Sequence, residues 1–512
     1  MVSVVLPALN LSDASPLHVA IGALAATLVA YKLLASKPAH ERYAAKHGLT
    51  GIKPAKRLPQ THFLLGDTME LGRNATRFVD WMYEKTLEMD EQPWLRHVPL
   101  LPDSITIATP ELIEDVTKTQ NDIFGKGEST RTIFDDFVGS SFFTQDGAPW
   151  FHQRKLASKF FSARMFREVA MVKFAKHTET MLGVLEKACG ADTEVNISHL
   201  LHEFTLQVIS ELAFGLEMDL IGSEQSHPLN DALEEAFPQI LTRIQTPEWV
   251  WKLQKYLNIG GERKYRGITQ EIRRIVSEMI TKSVEQNLSR VGPRREPTTI
   301  VELFIHAMQD GEADWISPEL LRDIGIMFVI GGRDTTAETL AWMLFMVGKH
   351  PEVEKKLRDE LWRKVPELME GKIKTLSMEQ VHTLTYMEAT IKETLRFYPP
   401  GTTIGISTYT LGRLKSVWGD DVHEFKPERF INEATDKPIS HSAFKFASFS
   451  AGPRICIGMN LALLELKLVV ATMFSRFRLE TAPNDGSFRF SASLPLKNPL
   501  MARIRPANAA TK

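Results

Sequence analysis

The stretch Phe449-Ser450-Ala451-Gly452-Pro453-Arg454-Ile455-Cys456-Ile457-Gly458 constrains this chain more than any other. It sets one cysteine among two glycines and a proline. It leads into an apolar run from Leu461 to Phe474, broken only by Glu465, Lys467 and Thr472. That run reads as a buried helix, and the glycines and proline before it read as a shaped turn. Cys456 is therefore expected near a positive helix N-terminus with Arg454 beside it. Both influences lower a thiol pKa, and a deprotonated cysteine is what a metal takes as ligand. The plainer alternative is a small buried hydrophobe.

At 512 residues with 43% hydrophobic content, the chain can form one large core or two or three smaller ones. A formal net charge of -2 gives no overall pull toward nucleic acid, and no nucleic-acid partner is expected. The two cysteines, Cys189 and Cys456, are too few for a disulfide framework and lack C-x-x-C spacing, which fits a reducing compartment facing the cytosol. The chain contains no H-E-x-x-H, G-x-S-x-G, Walker P-loop or G-x-G-x-x-G. Zinc, serine-hydrolase and nucleotide-binding chemistries thus have no residues to start from.

A second informative element opens with Ser317 as N-cap and Pro318 in the first turn, and meets no proline before about Gly348. A helix of that span is ~45 Å long, enough to cross a domain. Midway it carries Gly331-Gly332-Arg333-Asp334-Thr335-Thr336 between apolar flanks. Each glycine costs about 1 kcal/mol of helix stability but leaves room for a flat ligand. Thr335 can bond the carbonyl of Gly331 one turn back and open the helix there. A mere kink accounts for the glycines, though not for Asp334 and Thr335 at the same place.

Other stretches say less by themselves. Trp150 and Arg154 fall at i and i+4 on one helix face. Glu393 and Arg396 share the face opposite Leu384, Met387, Ile391 and Leu395, where an isolated pair contributes little. The segment from Gly125 to Gln145 reads as a loop with aromatic cover. Trp249 to Leu257 mixes aromatics with lysines and is expected to pack inward, with a membrane surface as the alternative.

Position by position, the Cys456 stretch matches F-x-x-G-x-R-x-C-x-G, and the chain resembles the haem-thiolate cytochrome P-450 family from about Leu65 onward. The resemblance implies a mainly α fold with a small β portion. It makes Cys456 the axial metal ligand of haem b, with Phe449, Gly452, Arg454 and Gly458 shaping the cofactor loop. Trp150 and Arg154 would face a propionate. Asp334 and Thr335 match [AG]-G-x-[DE]-T-[TS], an acid and an alcohol that relay protons to the oxygen being activated. Glu393 and Arg396 would lock with Arg429 in Phe425-Lys-Pro-Glu-Arg429-Phe, for folding and haem retention rather than chemistry.

The implied reaction is a monooxygenation of an apolar small molecule by O2. Electrons come from NADPH through a separate flavoprotein reductase, because too little chain follows Cys456 for a redox module. Gly-Gly-Arg-Asp-Thr-Thr-Ala, Leu212-Ala-Phe-Gly215 and Ser407-Thr-Tyr-Thr-Leu-Gly-Arg413 look like the fatty-acid and alkane omega-hydroxylase branch. Two alternatives stand beside it. One is a reductase-independent isomerase or dehydratase of lipid hydroperoxides, which has no need of Asp334 and Thr335. The other is a truncated, non-catalytic haem-binding protein.

Truncation arises because the resembled family places several short strands between a helix ending Arg396-Phe-Tyr-Pro-Pro400 and a segment like Ile406 to Arg413. Here that segment begins almost at once after Pro400 and Gly401. Those strands line a pocket wall, carry a third propionate-binding residue and complete a small sheet. Their loss implies an incomplete sheet with an exposed edge, weaker haem retention and altered substrate reading; a mis-spliced sequence is the other explanation.

At the N-terminus, Leu17 to Tyr31 is almost wholly apolar and, with Leu33 and Leu34, approaches the ~20 residues that span a bilayer. Lysines and arginines follow it and none precedes it. That bias leaves the body of the protein on the cytosolic side. A cleaved signal peptide and a buried amphipathic helix are the rival readings. The expected organisation is a membrane anchor over 1–36, a basic proline-containing linker over 37–60 and the haem-thiolate catalytic domain over 61–512. By resemblance to microsomal members, the location is the endoplasmic reticulum membrane.

Overall fold

The computed structural model describes residues 55–507, apart from 63, 224, 289–295, 401–404, 433, 490 and 492, and apart from the side chains of 287 and 288. The anchor expected over 1–36 and most of the linker over 37–60 lie outside the described residues, as does Gly401 at the expected gap. No helix among the described residues is long and apolar enough to cross a membrane.

Helices carry most of the described chain. Those of ten or more residues are α1 (Phe78–Glu88), α2 (Gly127–Val138), α3 (Gly147–Ser158), α4 (Met171–Ala191), α5 (Ile197–Phe214), α6 (Pro228–Gln245), α7 (Glu248–Leu257), α8 (Gly260–Leu288), α9 (Ile300–Gln309), α10 (Pro318–Lys349), α11 (Pro351–Lys364), α12 (Thr385–Phe397) and α13 (Met459–Arg476). The element expected between Ser317 and Gly348 is α10, and its Ser317 hydroxyl accepts the Leu320 N–H as an N-cap. α10 is the axis of the core. It packs most extensively on α5 and also meets α8, α12 and α13. Both α10 and α5 are buried nearly all round, as helices inside a large core must be.

Strands are short and few. β1 (Trp94–Arg96) pairs antiparallel with β2 (Ser104–Thr106), Leu95 opposite Ile105. β7 (Met501–Pro506) lies between β3 (Glu194–Asn196) and β6 (Phe477–Thr481), antiparallel to both. Its Ala502 and Ile504 face the core and Arg503 faces out, the two-residue period of a half-covered strand. β4 (Ile431–Asn432) pairs with β5 (Lys437–Pro438). The fold is thus mainly α with small sheets, as expected. Directly after the expected gap, the Ile107 N–H donates to the Gly405 carbonyl at 2.9 Å and the Ser407 N–H to Ile107 at 3.0 Å. That parallel contact is a single bridge, Ile107 beside Ile406.

Two local expectations are corrected. The stretch read as a loop over 125–145 contains α2, because Phe134, Phe137 and Val138 recur at i, i+3 and i+4 and make one apolar stripe. Glycine ends α2 rather than breaking it, since Gly139 takes a positive φ (51°) at its C-cap, a backbone that favours glycine. α7 does not pack inward: only Trp251 is buried, while Trp249 is 61% and Tyr256 85% exposed. The Glu393 and Arg396 side chains, expected to lock together for folding, are both fully buried.

Burial explains how completely that pair is satisfied. Arg396 grips both Glu393 oxygens at 2.7 Å and spends its remaining donors on the carbonyls of Gly412, Val422 and Glu424. Removing one partner leaves an uncompensated charge in the core, at a cost of about 3–5 kcal/mol. Arg396→Ala and Glu393→Ala are each expected to lose stability on that scale in urea unfolding, with strong coupling in the double variant.

Glu465 is the opposite case. It is buried in α13, its Oε1 has no hydrogen-bond partner among the described residues, and burial pushes its pKa up to about 8. Between the ordinary carboxylate pKa and that value, the folded protein holds a proton that the unfolded chain has released, so stability falls as pH rises. The fall is at most about 1.4 kcal/mol per pH unit. Glu465→Gln is expected to raise the urea midpoint near pH 8 and to leave it unchanged near pH 4.5.

Candidate active site

The Cys456 loop is held by its backbone. The Cys456 N–H donates to the Phe449 carbonyl at 2.7 Å and the Ile455 N–H to Gly452 at 3.1 Å. Gly452 sits at φ 67°, and a Cβ there would lie 2.1 Å from the Thr117 carbonyl oxygen, so only glycine fits. Gly458 is different: a Cβ would meet Cys456 Sγ and Phe161 at an ordinary 3.9 Å. Phe449 packs near Phe446 on the edge of the core.

Cys456 is exposed by surface area, yet burial is the largest influence on its thiol and raises its pKa. The two observations agree if the sulfur lies in a recess, hemmed in by protein but not covered. The Gly458 and Met459 N–H groups at the start of α13 and the Arg154 charge act in the other direction. The expected net lowering is therefore corrected: burial outweighs the helix N-terminus in the free chain. The cation acting on the sulfur is Arg154, not Arg454.

Arg154 and Trp150 lie on α3, which begins after Asp146. The Arg154 guanidinium donates to the Ile455 carbonyl, next to the cysteine. Arg454 lies over the Trp150 ring at 4.7 Å and donates to Asp146 and to the Gln145 carbonyl. Asp146 also takes Arg131 at 2.8 Å and the Lys126 N–H at 3.0 Å. Burial acts to raise the Asp146 pKa, but these donors and the Arg454 charge hold it below the usual range. Burial, then the Arg454 charge, push the Lys126 ammonium below its ordinary range. Three cationic residues, Lys126, Arg131 and Arg454, thus share one carboxylate, and Arg154 adds its charge beside Arg454. This excess of positive charge suits a ligand with two carboxylates.

On α10 the Thr335 hydroxyl donates to the Gly331 carbonyl at 2.8 Å. Gly331 is exposed in the middle of an otherwise buried helix, and a Cβ there would meet nothing within 4 Å. Gly332 faces the other way, against Ile209 of α5. Phe161 relates this opening to the cysteine loop: it stacks on Phe328, one turn before Gly331, and lies beside Gly458. An exposed thiol with N–H donors aimed at it, a cationic cluster and a bare helix turn fit a flat dianionic group with a metal at its centre.

Asp334 points away from Gly331 into a buried polar cluster. Arg333 donates to its Oδ1 and also grips Asn230 at 3.0 Å and Glu234 at 3.2 Å, both on α6. Asp334 Oδ2 has no hydrogen-bond partner among the described residues. Arg429 places Nε 3.5 Å from Glu393, but its hydrogen bonds go to Asp421 and the Trp418 carbonyl. Sequence reasoning missed Lys126, Arg131, Asp146, Asn230 and Glu234. Only Asp146 had a local signal, preceding a helix in the N-cap position.

Comparison with known proteins matches the family model described as Cytochrome P450 in two stretches, 57–401 and 399–499. The two stretches meet where strands are expected to be missing. The chain is 30% identical to Cytochrome P450 94B1 of Arabidopsis thaliana, over 82% of this chain and 86% of that protein. It is 26% identical to Cytochrome P450 94A2 of Vicia sativa, over 84% and 86%. With Cytochrome P450 704B1 of Arabidopsis thaliana the identity is 29%, over 83% and 90%.

The two neighbouring glycines of α10 are expected to behave differently. Gly331→Ala should unfold in urea at or above the wild-type midpoint, since the methyl meets open space and alanine favours helix by up to about 1 kcal/mol. Gly332→Ala should lose about 1–3 kcal/mol, because its Cβ would lie 2.7 Å from Ile209.

Proposed function

The chain belongs to the cytochrome P450 family of monooxygenases, and from that premise we propose that Cys456 holds haem b and that the opening beside Gly331 receives a long-chain fatty acid or alkane for omega-hydroxylation. The observation that carries the cofactor assignment is the recessed thiol of Cys456 under the Gly458 and Met459 N–H groups. Bound haem supplies the chemistry no side chain here can: activation of O2 and insertion of one oxygen atom into a C–H bond, with electrons from NADPH through a flavoprotein reductase.

The chain's own residues hold, orient and exclude. The two N–H groups and Arg154 stabilise negative charge on Sγ. Arg454, Trp150 and Arg154 bind the cofactor's carboxylates, displacing Arg454 from Asp146. Phe449 and Gly452 keep the loop in shape. Phe328, in ring contact with both Phe142 and Phe161, excludes water together with them. The Thr335 hydroxyl, fixed by the Gly331 carbonyl, keeps a lone pair to accept a proton relayed from Asp334 and pass it on. Glu393, Arg396 and Arg429 brace the cysteine side of the fold and take no part in chemistry.

The substrate class rests on resemblance to the fatty-acid and alkane branch. An apolar, membrane-partitioned substrate also suits a catalytic domain, 61–512, tethered at the endoplasmic reticulum by the apolar N-terminal stretch. The broken family match at 399–401 favours a second reading, a chain that binds haem weakly and does not turn over.

One experiment separates the two. Reduced, carbon-monoxide-treated protein is expected to show the red-shifted Soret band of thiolate-ligated haem, and Cys456→Ser is expected to abolish it. With reductase, NADPH and dodecanoic acid, Thr335→Ala should keep binding but divert oxygen to peroxide. An unchanged ratio of product to peroxide would remove Thr335 from the relay.

A further inference from the structure

The polar cluster around Asp334 extends beyond the residues of the relay. On α5, His202 directs Nε2 toward two carboxylates of α10: Glu338 Oε1 at 3.3 Å and Asp334 Oδ1 at 3.9 Å. Its Nδ1 lies 2.9 Å from the Ser198 carbonyl, which can only accept, so Nδ1 carries a hydrogen and Nε2 is left to exchange one. The His202 side chain keeps 15% of its surface exposed, against 10% for Asp334 and 8% for Glu338. Of the three, the imidazole has the most open edge to solvent. Asp334 Oδ2 remains without a partner among the described residues, a vacant acceptor inside this cluster.

We propose that His202, held between Ser198 and Glu338, is the positioning residue through which solvent protons reach Asp334. The inference rests on the relay reading of Asp334 and Thr335 and deepens it. The balance involves protons alone. Imidazolium Nε2–H gives its proton to the Asp334 carboxylate, neutral His202 regains one from solvent, and Asp334 passes its proton toward Thr335. The 3.9 Å separation exceeds a hydrogen bond, so transfer requires a bridging water or a small rotation of either side chain.

Charge around the ring favours this use. Burial works to lower the His202 pKa and the Arg333 charge adds to that, but the Glu338 hydrogen bond and the Glu338 and Asp334 charges prevail and leave it raised. Arg333 is itself shared with Glu234 and Asn230 of α6, which keeps its charge partly engaged elsewhere. On its own helix, the neighbouring His199 pairs with Glu203 at 3.1 Å. Glu338 holds the imidazole pKa up, and Arg333 holds Asp334 in place one turn away.

The test uses full-length haem-loaded protein with reductase, comparing wild type, His202→Gln and Glu338→Gln. Carbon-13 histidine NMR of the resting protein should show one imidazole titrating above the ordinary range. That signal is expected to vanish in His202→Gln and move down in Glu338→Gln. In NADPH-driven turnover of dodecanoic acid, His202→Gln should lower kcat about tenfold with little change in KM, raise the solvent deuterium isotope effect and flatten the pH profile. Glu338→Gln should move the midpoint of the profile with the imidazole.

If His202→Gln keeps the red-shifted band but leaves the pH profile and isotope effect unmoved, the proposal is wrong. Should that variant fail to fold, an unmoved titration and profile in Glu338→Gln overturns it equally. A wild-type protein without the red-shifted band would instead sink the monooxygenase reading, and this inference with it.

Discussion

The fully buried pair of Glu393 and Arg396 is the interaction on which the cysteine side of the molecule depends. A guanidinium in a dry core must have its donors satisfied, and Arg396 satisfies them with carbonyls distant in sequence: Gly412, Val422 and Glu424. Glu393 meanwhile accepts the Lys426 N–H at 2.9 Å. One helix turn thereby fixes the path of the chain that follows α12. The same helix anchors the approach to Cys456, since Ser448 donates to the Leu395 carbonyl at 2.9 Å. The pair is better understood as a specification of chain path than as a source of stability, because a buried ion pair seldom outperforms well-packed apolar residues.

A second constraint is the imbalance of charge on the other side of the cysteine loop. Asp146 alone faces Lys126, Arg131 and Arg454, with Arg154 alongside. Burial lowers the pKa of Lys126, Arg154 and Arg454, which means that these cations are held in an environment that disfavours their charge. Two carboxylates arriving there would relieve that cost, which would link cofactor binding to stability at this face. The raised thiol of Cys456 obeys the same logic, since a metal that takes the thiolate removes the burden burial places on it.

Much of this was legible in the sequence wherever a local pattern encodes the structure. The Ser317 cap, the uninterrupted α10 and the Thr335 bond to Gly331 follow from spacing and chemistry within one or two turns. The Gly452 turn follows from glycine and proline punctuation. Contacts made across the fold left no such trace. Arg454 was expected beside the sulfur because the two are neighbours in sequence, yet a carboxylate from the start of α3 captures it. Glycines at 125, 127 and 139 suggested a loop because only their number was weighed, whereas Gly139 marks the end of a helix. Glu338, at i+4 from Asp334, could have been found by spacing; His202, on another helix, could not.

Packing on either side of the junction after Pro400 is largely aromatic. Tyr398 stacks flat on Trp342 of α10, with ring centroids 3.5 Å apart, and the Trp342 indole N–H donates to the Leu494 carbonyl at 2.9 Å. Leu494 is fully buried in a cluster with Phe78, Trp81, Trp94 and Tyr409, and Phe488 packs against them. Thus the C-terminal segment before β7 meets both α10 and the short helix that follows Ser407. A sheet that pairs through a single bridge at Ile107 has little hydrogen bonding to hold that region, so aromatic packing must do it. Such packing is non-directional and tolerates a change of length in a way that a strand ladder does not. This is why fewer strands at the junction would be compatible with an intact helical core around α10, and would act on the pocket wall rather than on the fold.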